Sequence, residues 1–252
     1  MTIYVQSRGF SQDDDYCWLP EFPPIIRENR VNDLIQSESF SVVLARYSQK
    51  LLLLVTGLIA QERTDFRGRR IRNSVAWVLE DSEASERKLR AIAASALRDS
   101  LTASINSAIK FGGEHGFEVS LDDLERLNLE EVHNFQPIVD SKVGQNSQKL
   151  RHDLAYELEE RPLPPENGAL VVVTGIKSES ALMQAGVWRG LSNLVQAEGW
   201  KDPYKKSLTS EVEKKHIIPT KSKNNTLVFL IVFITIVVVA IAIVPLLLKP
   251  KL

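Results

Sequence analysis

The chain has 252 residues, with 31 basic and 32 acidic side chains and an apolar share of 44%, yet residues 227–248 carry no charge at all. The 226 residues before that stretch keep 29 basic and 32 acidic groups, a net charge of −3. This division excludes a wholly soluble protein, a multi-span carrier, a collagen-like or disordered chain and a strongly basic nucleic-acid binder.

In chain order, residues 3–5 read as a first short strand, and residues 13–24 as a polar, proline-containing loop anchored by Trp18 and Phe22. Residues 41–46 and 51–58 are apolar runs with the spacing of a hairpin. The second run opens LLLLVTG, and LVVVTG recurs at 170–175; both look like strands buried on two faces. Residues 71–79 alternate, with Ile71, Asn73, Val75, Trp77 and Leu79 on one side, as a sheet strand does. Between 58 and 71 an arginine-rich loop closed by Gly68 is expected.

Ser82 opens the clearest helix, with Glu83 and Glu86 near the positive end of its dipole. Its apolar residues keep helical spacing to Ile109, and Gly112 with Gly113 should stop it after Phe111. Ser120 starts a shorter helix, with Asp123 placed to complete a cap. Residues 147–160 form another on Leu150, Leu154 and Leu158. Pro162, Pro164 and Pro165 stiffen a connector into a strand at 169–174. A helix is then expected over 178–197, although Gly186 and Gly190 would each cost it about 1 kcal/mol relative to alanine. These elements predict an α/β or α+β mixed-sheet cytosolic domain over residues 1–199.

Residues 200–225 are polar and lysine-rich and read as a flexible tether with a mean reach of about 25–30 Å. A transmembrane helix is expected at 226–248. Its uncharged stretch of 22 residues would be about 33 Å long as a helix, against a hydrocarbon core of about 30 Å. In lipid such a run must satisfy its own backbone, however β-branched it is. Lys205, Lys206, Lys214, Lys215, Lys221 and Lys223 precede the span and only Lys249 and Lys251 follow it, which places the N-terminal side in the cytoplasm. The first residues lack the apolar core of a secretory signal. The expectation is a single-pass, tail-anchored protein with a short exit tail at 249–252, in the inner (plasma) membrane if the source is a bacterium. The span has no ionisable residue to mark an ion path and no GxxxG face; homo-oligomerisation stays open.

Arg63, Arg67, Arg69, Arg70 and Arg72 fall within ten residues that hold one carboxylate, Asp65. Guanidinium forks match the paired oxygens of carboxylate and phosphate, so this segment points to a partner protein or an anionic small ligand. The net charge argues against nucleic acid. The plainer alternative is a solvated loop whose arginines pair with the domain's own carboxylates. Lys177, beside an expected helix start, is a second place to meet an anion, although neither strand exit continues into GxxxxGK[ST] or GxGxxG. His115, His133 and His152 lack ligand spacing and a lone Cys17 builds no zinc site, so no metal, cofactor or catalytic residue is expected. The function expected is a non-enzymatic interaction or signalling domain held at a membrane. Two other readings are a membrane-disrupting effector of a defence or toxin system, triggered by its cytosolic domain, and a membrane-tethered enzyme using Cys17 or the acidic loops.

Overall fold

A computed structural model describes residues 1–205. The expected transmembrane helix at 226–248, the exit tail and most of the tether lie outside them; among the described residues no helix is long and apolar enough to cross a membrane.

The elements in order are β1 (Thr2–Ser7), β2 (Cys17–Leu19), α1 (Pro24–Glu28), β3 (Ser41–Tyr47), β4 (Lys50–Thr64), β5 (Arg70–Glu80), α2 (Glu83–Leu97), α3 (Leu101–Ala108), β6 (Ile109–Phe111) and β7 (Phe117–Val119). They continue with α4 (Leu121–Glu125), β8 (Lys142–Gln145), α5 (Gln148–Glu160), β9 (Gly168–Thr174), α6 (Glu179–Gln184) and β10 (Arg189–Ser192). Eight strands form one sheet in the order β2-β1-β5-β4-β3-β9-β10-β8, while β6 and β7 form a separate ribbon. Pairings from β2 to β9 are antiparallel, and β9, β10 and β8 are parallel. The domain is therefore of the mixed α/β kind, with a large mixed sheet.

Burial on both faces explains the unbroken apolar runs. Leu51, Leu53 and Val55 of β4 face α2, α3 and α5 with Trp77, Val171 and Val173, whereas Leu52 and Leu54 join Ile26, Val31, Leu182 and Val187 on the opposite face. A strand of period two between two apolar layers has no polar side to show. Buried arginines staple the helical layer. Arg90, fully buried, donates to the carbonyls of His133 (3.2 Å), Leu158 (3.1 Å) and Arg161, while Arg46 binds Glu86 at 2.7 Å.

Several elements differ from expectation. β4 does not end at 58. Gly57 adopts φ 71°, where a Cβ would lie 2.2 Å from the Ser39 backbone, and the β4–β5 register shifts there. The glycine makes a bulge rather than an end, and the strand continues to Thr64. The expected loop at 59–70 thus shrinks to a turn at 65–69. The long helix breaks at Asp99 (φ 61°) into α2 and α3, and residues 109–111 are strand. Ser120 makes no side-chain cap bond, whereas Ser82 and Ser147 accept from the amides of Ser85 and Leu150. The helix expected at 178–197 stops after Gln184, because Gly186 at φ 70° turns the chain into β10. That strand accounts for Gly190, whose Cβ would press on Val187 (3.0 Å), Leu182 and Val143. At the sheet's far edge Val143 exchanges both backbone bonds with Lys201, at 2.8 and 2.9 Å.

Candidate functional site

Pairing of β3 with β4 ends at Ser41 and Thr56, so the last residues of β4 and the start of β5 project beyond the sheet as a hairpin. Its turn is built on Asp65, whose side chain is only 3% exposed. Oδ1 accepts from the amides of Arg67 and Arg69, both at 2.9 Å, and Oδ2 from the Arg69 guanidinium at 2.9 and 2.7 Å. The Asp65 amide donates to the Arg69 carbonyl at 2.9 Å and Gly68, at φ 75°, closes the turn with a 2.8 Å bond to the Asp65 carbonyl. Burial alone would raise the Asp65 carboxyl. The hydrogen bonds from Arg69 and Arg67, with the Arg69 charge, outweigh it and hold the group below the ordinary carboxylate value. The Phe66 amide donates to the Phe10 carbonyl at 2.8 Å, tying the tip to the loop after β1.

The six basic residues singled out by sequence do not act together. Arg63 turns inward, donating to Ser7 Oγ (2.9 Å), Asn73 Oδ1 (2.7 Å) and the Arg8 carbonyl (3.3 Å), over the Phe111 ring at 5.4 Å. Burial pulls its guanidinium down to about 10, opposed in part by Tyr16, so it stays charged at neutral pH. Arg69 is spent on Asp65. Arg67 and Arg70 are exposed: Arg67 lies over the Phe66 ring at 5.0 Å, and Arg70 reaches only the Gln61 carbonyl at 3.4 Å. Arg72 lines a small cavity of about 110 Å³ with Gln6, Tyr16, Ser37 and Glu38. Lys177 sits in the loop from β9 into α6, separated from the tip by β3 and by the whole projecting part of β4. Among the described residues, Arg67, Arg70, Arg72 and Lys177 make no ion pair with a carboxylate.

Under the tip a groove of about 500 Å³ runs between residues 60–63 of β4 and the residues of α3 and β6. Ala60, Ala103, Ile109 and Phe111 supply apolar surface; Arg63 and Lys110 supply positive charge, and Glu62 the one carboxylate. Asn106 holds the walls together by donating to the Ile59 carbonyl at 3.1 Å. A mostly apolar cleft with a few polar groups is the common form of a ligand site. Sequence reasoning missed this groove, because a helix through 111 leaves no turn to bring Lys110 and Phe111 against β4. The αL break at Asp99 had no signal beyond the polar run Arg98-Asp99-Ser100.

Cys17 is half-buried on β2. Burial raises its thiol, and Asp14 and Asp15 raise it further, which disfavours the thiolate a nucleophile needs. Among the described residues no three His, Cys, Asp or Glu side chains stand close enough to hold a metal ion. Comparison with protein-family models, with curated proteins and with solved structures finds no match for the chain.

Proposed function

We propose that the protein is a membrane-tethered, non-enzymatic interaction or signalling module that captures an anion-bearing partner protein or small ligand at the tip of the β4–β5 hairpin. One observation carries this reading. Asp65 is held by the Arg67 and Arg69 amides, the Arg69 guanidinium and, at 3.7 Å, the Arg8 guanidinium, while the Arg67 and Arg70 side chains stay exposed on a preset backbone with no carboxylate among the described residues to neutralise them. An ordered turn lowers the entropy lost when its side chains engage a partner. Phe66 beneath the Arg67 guanidinium adds a flat apolar surface that a bound group can share. The tether part of the proposal rests on the uncharged residues 227–248 and on the lysines that precede them.

The test is affinity capture with the full-length chain, comparing it with the Arg67→Ala/Arg70→Ala variant. Loss of two charge-assisted contacts should weaken capture of the bound species about tenfold or more, with thermal unfolding unchanged because neither guanidinium supports the turn. Equal capture by both proteins would remove the tip from the account.

A further inference from the structure

A second cleft opens on the sheet face that carries α1 and α6. Tyr4, Leu54 and Ala76 belong to the apolar layer of that face. Two residues along the same strands toward the hairpin end, and so on the same side, stand Gln6, Thr56 and Ser74. Gln6 is in register with both Trp18 of β2 and Ser74 of β5, so the face changes from apolar to polar along one row. Ser74 and Thr56 are buried there; Ser74 donates to Gln6 Oε1 at 3.2 Å and Thr56 to the Ser39 carbonyl at 3.0 Å. The first bond leaves the Gln6 amide N–H groups for another partner.

Between this row and residues 32–37 lies a cavity of about 390 Å³, with Trp18, Phe22, Ile35 and Leu54 as its apolar walls. The Trp18 and Phe22 rings meet edge to face at 5.8 Å. Gln6 and Ser37 also line the cavity of about 110 Å³ that holds Arg72 and Glu38, so the two spaces adjoin. Arg72 and Glu38 put opposite charges on one small space, yet among the described residues neither makes an ion pair, with the other or elsewhere. The Arg72 amide donates to Tyr16 Oη at 3.0 Å, which fixes the backbone that carries the guanidinium.

We propose that the paired cavities bind a free α-amino acid with an aromatic side chain, its charged head between Arg72 and Glu38 and its ring against Trp18 and Phe22. A lone anion would be repelled by Glu38 and a lone cation by Arg72, whereas a zwitterion is attracted by both. The guanidinium fork takes the carboxylate through two parallel hydrogen bonds, and the ammonium donates to Glu38. At about 30 Å³ for each water, the smaller cavity has room for about four, the scale of an amino-acid head and little more. The larger one falls within the roughly 300–1,000 Å³ of small-ligand sites, and its aromatic walls favour edge or offset contact with a ring. This site is separate from the hairpin tip and does not rest on capture there; it gives the interaction module a small-molecule input.

Titration calorimetry of the full-length chain in detergent, with L-tryptophan, L-tyrosine and L-phenylalanine each to about 1 mM, should show saturable binding of at least one. The matching amine, which lacks the carboxylate, and the matching arylpropionate, which lacks the ammonium, should each bind about tenfold or more weakly than the amino acid. Arg72→Gln should weaken the amino acid to the same degree and leave the amine unchanged. Glu38→Gln should weaken the amino acid and leave the arylpropionate unchanged, because each variant removes the group that the truncated ligand cannot use. Ser37→Trp, at an exposed position in the wall common to both cavities, should abolish binding while thermal unfolding of the unliganded protein stays as it is. The proposal is overturned if none of the three amino acids binds, if the amine or the arylpropionate binds as well as its parent, or if Ser37→Trp leaves binding intact. Arg67→Ala/Arg70→Ala should leave amino-acid binding unchanged, so failure of the cleft and failure of the tip give different results.

Discussion

Asp65 shows how one buried carboxylate decides what its neighbours are free to do. It takes two amides and the Arg69 guanidinium, with the Arg8 guanidinium 3.7 Å from Oδ2. Its carboxyl is held below the ordinary value in the folded chain, so its contribution is fully present above the unfolded value of about 3.9 and is lost only as pH falls through the lower folded value. The protection factors of the Arg67 and Arg69 amides, exchange rates divided by the intrinsic rate at each pH, should hold down to about pH 4 and fall below it; a loss of protection near pH 6 would contradict the assignment. Asp65→Ala should speed those same amides at neutral pH while leaving β9 untouched. Arg90 is the opposite case, a charge committed wholly to structure. Replacing it by Met strands the carbonyls of His133, Leu158 and Arg161, while Glu86 keeps Arg46 and the Leu163 amide, and should cost about 3–5 kcal/mol in urea unfolding. The sequence placed Asp65 in the right segment, but gave no sign that it would bind Arg69 and spare Arg67 and Arg70. That choice depends on the turn geometry at Gly68.

At the scale of elements, legibility followed the strength of the pattern. The runs at 51–55 and 170–174, the alternation at 71–79 and the helix start at Ser82 are each legible in the sequence, because a buried face or a cap hydrogen bond dictates residue type directly. Glycine was harder to place. By pattern Gly57, Gly186 and Gly190 look like a strand exit and two costly helix interiors, whereas they form a bulge, a helix terminator and a crowded strand position. A sequence shows that glycine is required but not which backbone angle or neighbour requires it. β8 and β10 are four residues each, too short to carry a period. The bulge glycine and the turn glycine of the hairpin make the distinction measurable. Gly57→Ala would combine φ 71° with a Cβ 2.2 Å from the Ser39 backbone, whereas Gly68→Ala at φ 75° meets nothing within 4 Å. Gly68→Ala should cost about 1–2 kcal/mol; Gly57→Ala should cost at least about 2 kcal/mol more through the forced backbone shift. Thermal unfolding of the two variants side by side compares them.

At the scale of the whole molecule, the near-zero net charge is an average over unlike regions. The described domain leans acidic, and much of its basic charge is committed inward: Arg46, Arg63, Arg90 and Arg189 are all buried. Of the exposed cations without an ion pair among the described residues, Arg67, Arg70 and Lys110 lie at the hairpin end, and others, such as Arg27, Arg30, Lys50, Arg87 and Arg126, are spread over the rest of the domain. The second basic group is in the sequence before the uncharged stretch, where each lysine near an anionic lipid surface contributes about 1 kcal/mol. Deleting residues 226–252 should release the protein from carbonate-washed membranes, and retention of the shortened chain would contradict the tether. The claim that joins these regions is that the hairpin tip is where the tethered domain meets its partner. Hydrogen exchange of the full-length protein in its native membranes, set against the purified chain, tests it most directly. The account predicts added protection centred on residues 65–70 and lost in Arg67→Ala/Arg70→Ala; protection confined to another surface, such as the loop carrying Lys177, with no change at the tip, would contradict it.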